Sequence, residues 1–197
     1  MKTPAILLLF AKYPLPGYAK TRLIPVLGEA GAAALHRTLA ERTIATLKES
    51  GAPVEVRYAG ADEATMRAWL GPEIALVAQV EGDLTARLID AARPGPHIFF
   101  GADTPDLAVA HVHAAIAALA SHDVVIGPAE DGGYYLIGMA TARPELLTNM
   151  PWSTDQVFRE TMQRCADLGL SVALLEALAD CDRPEDLARW PNLMAKA

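Results

Sequence analysis

The sequence predicts a three-layer α/β/α fold around a mainly parallel, mixed sheet. Three observations carry this expectation. Runs such as Ile6 to Phe10 and His97 to Phe100 are apolar at nearly every position, as strands covered on both faces must be. Helix-period segments alternate with these runs, the reading of a chain built from strand–helix–strand units. A tight Asp131-Gly132-Gly133 connection joins two later strand-like runs, so one pair is expected to be antiparallel.

The elements follow in order. Ile6 to Phe10 is the first strand, and Glu29 to Ser50 reads as a long helix with Leu35, Leu39, Ala40, Ile44 and Leu47 on one side. Gly51 ends that helix and Pro53 prevents its continuation. Val54 to Tyr58 is a second strand. A shorter helix from Ala64 to Leu70 closes at Gly71-Pro72, before a third strand from Ile74 to Ala78. Asp83 to Ala92 is helical until Arg93-Pro94-Gly95-Pro96 breaks it, and His97 to Phe100 is again a strand. Asp106 is expected to cap the next helix, which carries Val112, Ile116 and Leu119. Asp123 to Ile126 and Tyr134 to Met139 form the expected antiparallel pair. Ser153, Thr154 or Asp155 caps a helix with Phe158, Met162 and Cys165 on its face. Val172 to Leu175 is the last strand, and Pro184 opens a final helix.

Composition narrows the function. The 197 residues suit one domain spanning residues 1–197, and 52% hydrophobic against 21% charged residues excludes wholesale disorder. With 17 Lys and Arg against 24 Asp and Glu, the formal charge is −7. That balance supplies no general basic face, so nucleic acid is not an expected partner, and any anionic ligand needs a local cluster of cations. Cys165 and Cys181 are too few for a disulfide framework or a four-thiolate zinc site and read as small buried hydrophobes. The apolar run from Ala5 to Ala11 is too short to span a bilayer and has no small-x-small cleavage site behind it. A cytoplasmic protein without a membrane partner is expected, and self-association is left open.

In such sheets, ligands bind beyond the carboxyl ends of the strands. The residues after each strand are the informative ones. Lys12 to Leu23 follows the first strand and holds Lys12, Lys20 and Arg22 with two prolines and Gly17. A point charge and a planar fork suit phosphate oxygens, although the segment is neither a P-loop nor a G-x-G-x-x-G turn. Asp103, in Gly101-Ala102-Asp103-Thr104-Pro105, stands where a Mg²⁺ would meet a nucleotide diphosphate. Glu130 and Asp131, before Gly132 and Gly133, form a carboxylate pair suited to an acceptor or to general-base work; an ordinary Asp-Gly turn explains them equally. Asp182, after the last strand, is a second metal-ligand candidate facing Asp103, with Glu185 and Asp186 complementing the dipole of the helix behind it. Arg87 in the Gly82 to Arg87 stretch is a weaker candidate. His111 and His113 fall on different faces of a helix, and no G-x-S-x-G elbow is present.

Read together, Phe10-Ala11-Lys12 through Lys20-Thr21-Arg22-Leu23, Gly101 to Pro105, Gly127 to Tyr134 and Pro151-Trp152-Ser153-Thr154 resemble a bacterial group of GT-A-type glycosyltransferases. Some of that group are associated with arsenosugar biosynthesis and others are grouped as domain of unknown function 2064. The motifs run in order along nearly the whole chain. The wider superfamily is that of the nucleotide-diphospho-sugar transferases, so the resemblance implies that fold. Ala19 to Leu23 is similar to the start of the 2-phospho-lactate guanylyltransferases, and Asp182 to Leu187 to an Asp-Thr-Pro-Glu-Asp-Leu motif of sugar-activating nucleotidyltransferases, with Arg183 in place of Thr.

The resemblance implies phosphate binding by Lys20 and Arg22, with Mg²⁺ or Mn²⁺ on Asp103 and Asp182. Lys12 and Gly17 of the same loop are further phosphate-binding candidates, and Gly132 and Gly133 are acceptor-binding candidates. The family's Gln-Gly-x-Gly-Asp-Leu-Gly-x-Arg pattern is degraded to Gln79 through Arg87 without two of its glycines, and the Asp-x-Asp of many glycosyltransferases is absent because position 105 is Pro. Three functions follow as expectations. The first is glycosyl transfer from a nucleotide-sugar to a small-molecule acceptor, with Asp131 or Glu130 as base. The second is nucleotidyl transfer from a nucleoside triphosphate to a phosphorylated acceptor, which needs no protein base. The third is nucleotide binding without catalysis.

Overall fold

The computed structural model describes residues 4–193. A seven-stranded sheet forms its centre, built from β1 (Ile6–Lys12), β2 (Val54–Ala59), β3 (Ala75–Ala78), β4 (His97–Phe100), β5 (Val124–Pro128), β6 (Tyr134–Met139) and β7 (Val172–Leu174). The strand order is β3-β2-β1-β4-β6-β5-β7. β6 lies antiparallel between β4 and β5, with Phe100 opposite Leu136 and Ile126 opposite Ile137; the other pairings are parallel. The expected mixed sheet and its one reversed strand are both present.

Helices cover the two faces because alternate strand residues must each be buried. Leu7, Leu9 and Ala11 pack with Ala40, Ile44 and Leu47 of α1 (Ile24–Glu49), Met66 of α2 (Glu63–Leu70), and Val112 and Ala115 of α4 (Val109–Ala118). Leu8, Phe99, Ile126 and Ile137 pack on the other face with Leu88 and Ala91 of α3 (Leu84–Ala91) and Cys165 of α5 (Val157–Asp167). A third cluster joins Leu23, Leu35 and Leu39 to Cys181 and Leu193. That cluster ties the start of α1 to the C-terminal segment, two stretches far apart in sequence. Both cysteines are free and buried.

Local chemistry sets most boundaries. Asp62 and Asp83 cap α2 and α3, accepting from Thr65 N at 2.8 Å and Ala86 N at 2.9 Å. α1 carries a break at Gly28 (φ 68°, ψ 169°), so regular helix runs on from Glu29 as expected, preceded by a 3-10 turn at Thr21–Leu23.

Three expectations need correction. α4 starts after Ala108, and the Asp106 carboxylate accepts the Trp190 indole N–H at 3.0 and 3.1 Å instead of capping the helix. α5 has Gln156 at its N-cap with no side-chain cap; Thr154 Oγ1 accepts from Gln156 N and donates to Pro151 O within the preceding turn. The final helix is a 3-10 segment, Pro184–Arg189, in which the Asp186 carboxylate accepts from the backbone N–H groups of Asp182 and Arg183. Among the described residues, no helix is long and apolar enough to cross a membrane.

Candidate active site

The carboxyl rim gathers the loops after β1, β4 and β5 and the segment after β7. Leu23, fully buried, anchors the loop that carries Lys20 and Arg22. Lys20 itself is left-handed (φ 49°, ψ 45°), a strained conformation for a residue with a side chain, and it turns that side chain inward. A backbone bond from Cys181 N to Asp103 O, 2.8 Å, stitches the loop after β4 to the C-terminal segment. Asp103 and Asp182 are thereby held next to each other.

Lys20 joins them. Its Nζ lies 2.7 Å from Asp103 Oδ1 and 3.5 Å from Asp182 Oδ1, and it donates to Cys181 O at 2.6 Å. Only 3% of the Lys20 side chain is exposed. Burial pushes its pKa down, but the charge and hydrogen bond of Asp103 and the charge of Asp182 outweigh that and leave it above the usual lysine value. All three ammonium donors are thus directed at the acidic loops. Arg22 pairs with the other oxygen of Asp182.

Asp180 is the residue that sequence reasoning passed over. It lies in the same segment as Asp182, and its Oδ1 accepts from Thr104 Oγ1 at 2.9 Å. Burial, with the charges of Asp103 and Asp131 adding to it, pushes its pKa up to about 6. No local sequence signal separates Asp180 from Asp182; burial does.

On the opposite wall, Glu130 is gripped by Arg189, whose two terminal nitrogens stand 2.6 and 3.0 Å from its oxygens. The hydrogen bond from Arg189 holds the Glu130 carboxyl below its usual range, which makes it a weaker base. Among the described residues, Asp131 accepts a hydrogen bond only from Gly133 N, at 2.9 Å, in an Asx turn. Gly132 (φ 90°) packs against the α5 approach so closely that an added Cβ would lie 2.3 Å from Asp155 O. Its carbonyl accepts from Phe158 N.

These residues surround a cleft of about 610 Å³ lined by Arg22, Asp103, Glu130, Asp131, Asp180, Asp182 and Arg183, and by Ser153 to Asp155 from the loop before α5. Asp186 and Arg189 complete it. Seven carboxylates face three guanidiniums here, so an anionic ligand needs additional positive charge. Lys12 and Gly17 do not join this wall: Lys12 is exposed at the end of β1 with its carbonyl bonded to His36 Nε2, and a Cβ on Gly17 would face the Glu29 carboxylate. Gly132 and Gly133 shape the loop behind Asp131. His111 and His113 diverge, toward Glu176 and Ser50 O.

Among the described residues, no three His, Cys, Asp or Glu side chains stand close enough to hold a metal unaided. The donor set nevertheless fits a hard divalent ion. Asp103 and Asp182 each turn one oxygen toward a single cation, the Lys20 ammonium, and Mg²⁺ or Mn²⁺ normally takes one or two carboxylates with phosphate and water completing its shell.

Comparisons with known proteins accord with this architecture. A protein from Desulfovibrio desulfuricans G20, assigned as a nucleotide-diphospho-sugar transferase, is 31% identical over 95% of this chain and 87% of its own, with a TM-score of 0.87. A nucleotidyl transferase from Methanothermobacter thermautotrophicus shares the fold at 18% identity and a TM-score of 0.66, covering 98% and 99% of the two chains. Glucosyl-3-phosphoglycerate synthase from Mycobacterium tuberculosis, solved with Mn²⁺, UDP and glucosyl-3-phosphoglycerate, shares it at 13% identity and a TM-score of 0.56, over 98% and 76%. No curated protein matches the sequence. The family model described as "Uncharacterized protein conserved in bacteria (DUF2064)" matches residues 40–154. With the nucleotide-diphospho-sugar transferase fold and more than half of its length within that model, the chain belongs to the DUF2064 family.

Proposed function

We propose that the protein, acting as one domain over residues 1–197, is a divalent-metal-dependent glycosyltransferase. Its donor is a nucleotide-sugar, its acceptor a small molecule, and its setting the cytoplasm. The single observation that carries this reading is the convergence of Asp103 and Asp182 on one cation at the carboxyl rim of the sheet.

In this reading Asp103 and Asp182 hold Mg²⁺ or Mn²⁺, which when bound neutralises the diphosphate of the donor. Arg22 binds diphosphate oxygens at the cleft wall, exchanging part of its pairing with Asp182 for phosphate. Lys20 keeps the two acidic loops together and holds positive charge beneath the phosphates. Asp131 is the base that accepts the proton of the acceptor hydroxyl, because Glu130 is committed to Arg189. Gly132, locked against Asp155, fixes the loop on which Asp131 stands.

Nucleotidyl transfer is the second reading, favoured by Arg22 beside Asp182, a cation placed to receive a departing pyrophosphate. Calorimetric titration with nucleotide-sugars and nucleoside triphosphates, with and without Mg²⁺, separates the two. Metal-dependent binding of a nucleotide-sugar and release of nucleoside diphosphate supports the first reading. Preference for a triphosphate, with pyrophosphate released on adding a phosphorylated acceptor, selects the second. Affinity without turnover would leave a binding module.

A further inference from the structure

Beside the charged cleft, the same rim carries a second, apolar recess of about 150 Å³. Its walls are Phe10, Leu84, Leu88, Phe99, Tyr134 and Trp152. Phe10 meets Phe99 edge to face at 5.9 Å, and Tyr134 meets Trp152 in the same way at 6.3 Å. Trp152 is pinned, because its indole N–H donates to Thr85 Oγ1 at 2.8 Å and Thr85 in turn donates to Leu147 O at 3.3 Å. Thr85 therefore holds the indole through its side-chain hydroxyl. Leu84, 40% exposed, lies at the edge of the recess.

Three loops build both the recess and the cleft. Gly101 lines the recess and Asp103 the cleft; Trp152 lines the recess and Ser153 the cleft; Tyr134 lines the recess and Asp131 the cleft. The recess and the cleft are therefore neighbours built on the same loops. A cavity of about 150 Å³ lined by aliphatic and aromatic side chains accommodates one benzene ring.

The lining suits an apolar ring better than a nucleobase. The Trp152 N–H is held by Thr85 and the Tyr135 O–H donates to Glu176 O, so the Tyr134 hydroxyl is the one aromatic-ring polar group of the lining without a partner among the described residues. A base would leave most of the polar atoms of its edge without partners, at a cost that an aryl or alkyl group does not incur.

We infer that this recess seats the apolar part of the acceptor, a group of single-ring size, while the acceptor's nucleophile reaches Asp131. The assignment to an acceptor rests on the transferase reading; the binding of an apolar ring does not. Benzyl alcohol is the probe, followed through the three tryptophan indole N–H resonances, with Trp152 assigned by Trp152→Phe. A saturable shift confined to Trp152, weakened roughly tenfold or more by both Leu84→Trp, which fills the recess, and Leu84→Glu, which charges its edge, is expected. Leu84 is half-exposed, and unchanged thermal midpoints verify that both variants fold. No saturable shift, equal shifts at Trp69 and Trp190, or undiminished binding in both variants overturns the inference. Nucleotide titrations of the same variants read the transferase assignment separately: ring binding without nucleotide binding would reject that assignment and leave the recess standing.

Discussion

The Lys20 ammonium rests 2.7 Å from Asp103 while reaching Asp182 and the Cys181 carbonyl on its other side. One buried cation therefore bridges two acidic loops from separate parts of the chain. The bridge holds the two carboxylates adjacent, and Lys20 adopts a left-handed backbone to make it.

Lys20→Met should reduce unfolding free energy by about 1–3 kcal/mol, measured by urea denaturation. The loss stays below that of a wholly buried pair because Asp103 and Asp182 are 46% and 36% exposed and can rehydrate. An unchanged midpoint would show that the bridge contributes nothing to holding the loops.

Asp103→Asn and Asp182→Asn should each abolish the Mg²⁺-dependent part of nucleotide affinity while leaving the fold intact. Calorimetry with and without EDTA reads this directly. A variant whose affinity still responds to Mg²⁺ like the parent would remove that residue from the metal site.

Asp180 makes stability depend on pH. Its native pKa, about 6, lies above the ordinary 3.8, so the folded state holds the proton more tightly. The stabilising effect is complete below about pH 4 and lost as pH rises through 6, leaving a penalty of up to about 3 kcal/mol at neutrality. Asp180→Asn keeps an acceptor for Thr104 and removes the charge. It should be more stable than the parent at pH 8, and the two should converge near pH 4 in parallel denaturation series.

The two rim carboxylates should separate kinetically. Asp131→Asn is expected to lower kcat by about a hundredfold or more, the scale of a lost general base. Glu130→Gln should leave kcat within roughly tenfold, since a residue paired to Arg189 does not take the proton. The reverse ranking would transfer the base to Glu130.

Gly132→Ala should cost about 1–3 kcal/mol of stability, because positive φ and a backbone clash with Asp155 act together. A lowered kcat should accompany it, since the displaced loop carries Asp131.

Much of this is legible in the sequence. Two-faced apolar runs identified β1 and β4 because burial on both sides leaves no polar position, and the Asp131-Gly132-Gly133 turn announced the reversed β6. Residues such as Asp103 and Asp182 could be placed because strand ends in such a fold share a rim. Asp106 could not: whether an Asp before a helix caps it or receives an indole from Trp190 depends on a segment far away in sequence. Asp180 was hidden likewise, since only burial distinguishes it from its neighbours. The pairing of Lys20 with carboxylates rather than presentation to a phosphate is a tertiary outcome, dictated by the Cys181–Asp103 stitch.

The reversal of β6 has a consequence for how this scaffold can diversify. A strand running against its neighbours delivers its beginning, not its end, to the working rim, so the hairpin from β5 opens toward substrate from the front of the sheet. Residues can be added or exchanged in that hairpin without rethreading a crossover helix, so the wall that carries Glu130 and Asp131 can change while the framework beneath Asp103 and Lys20 stays put.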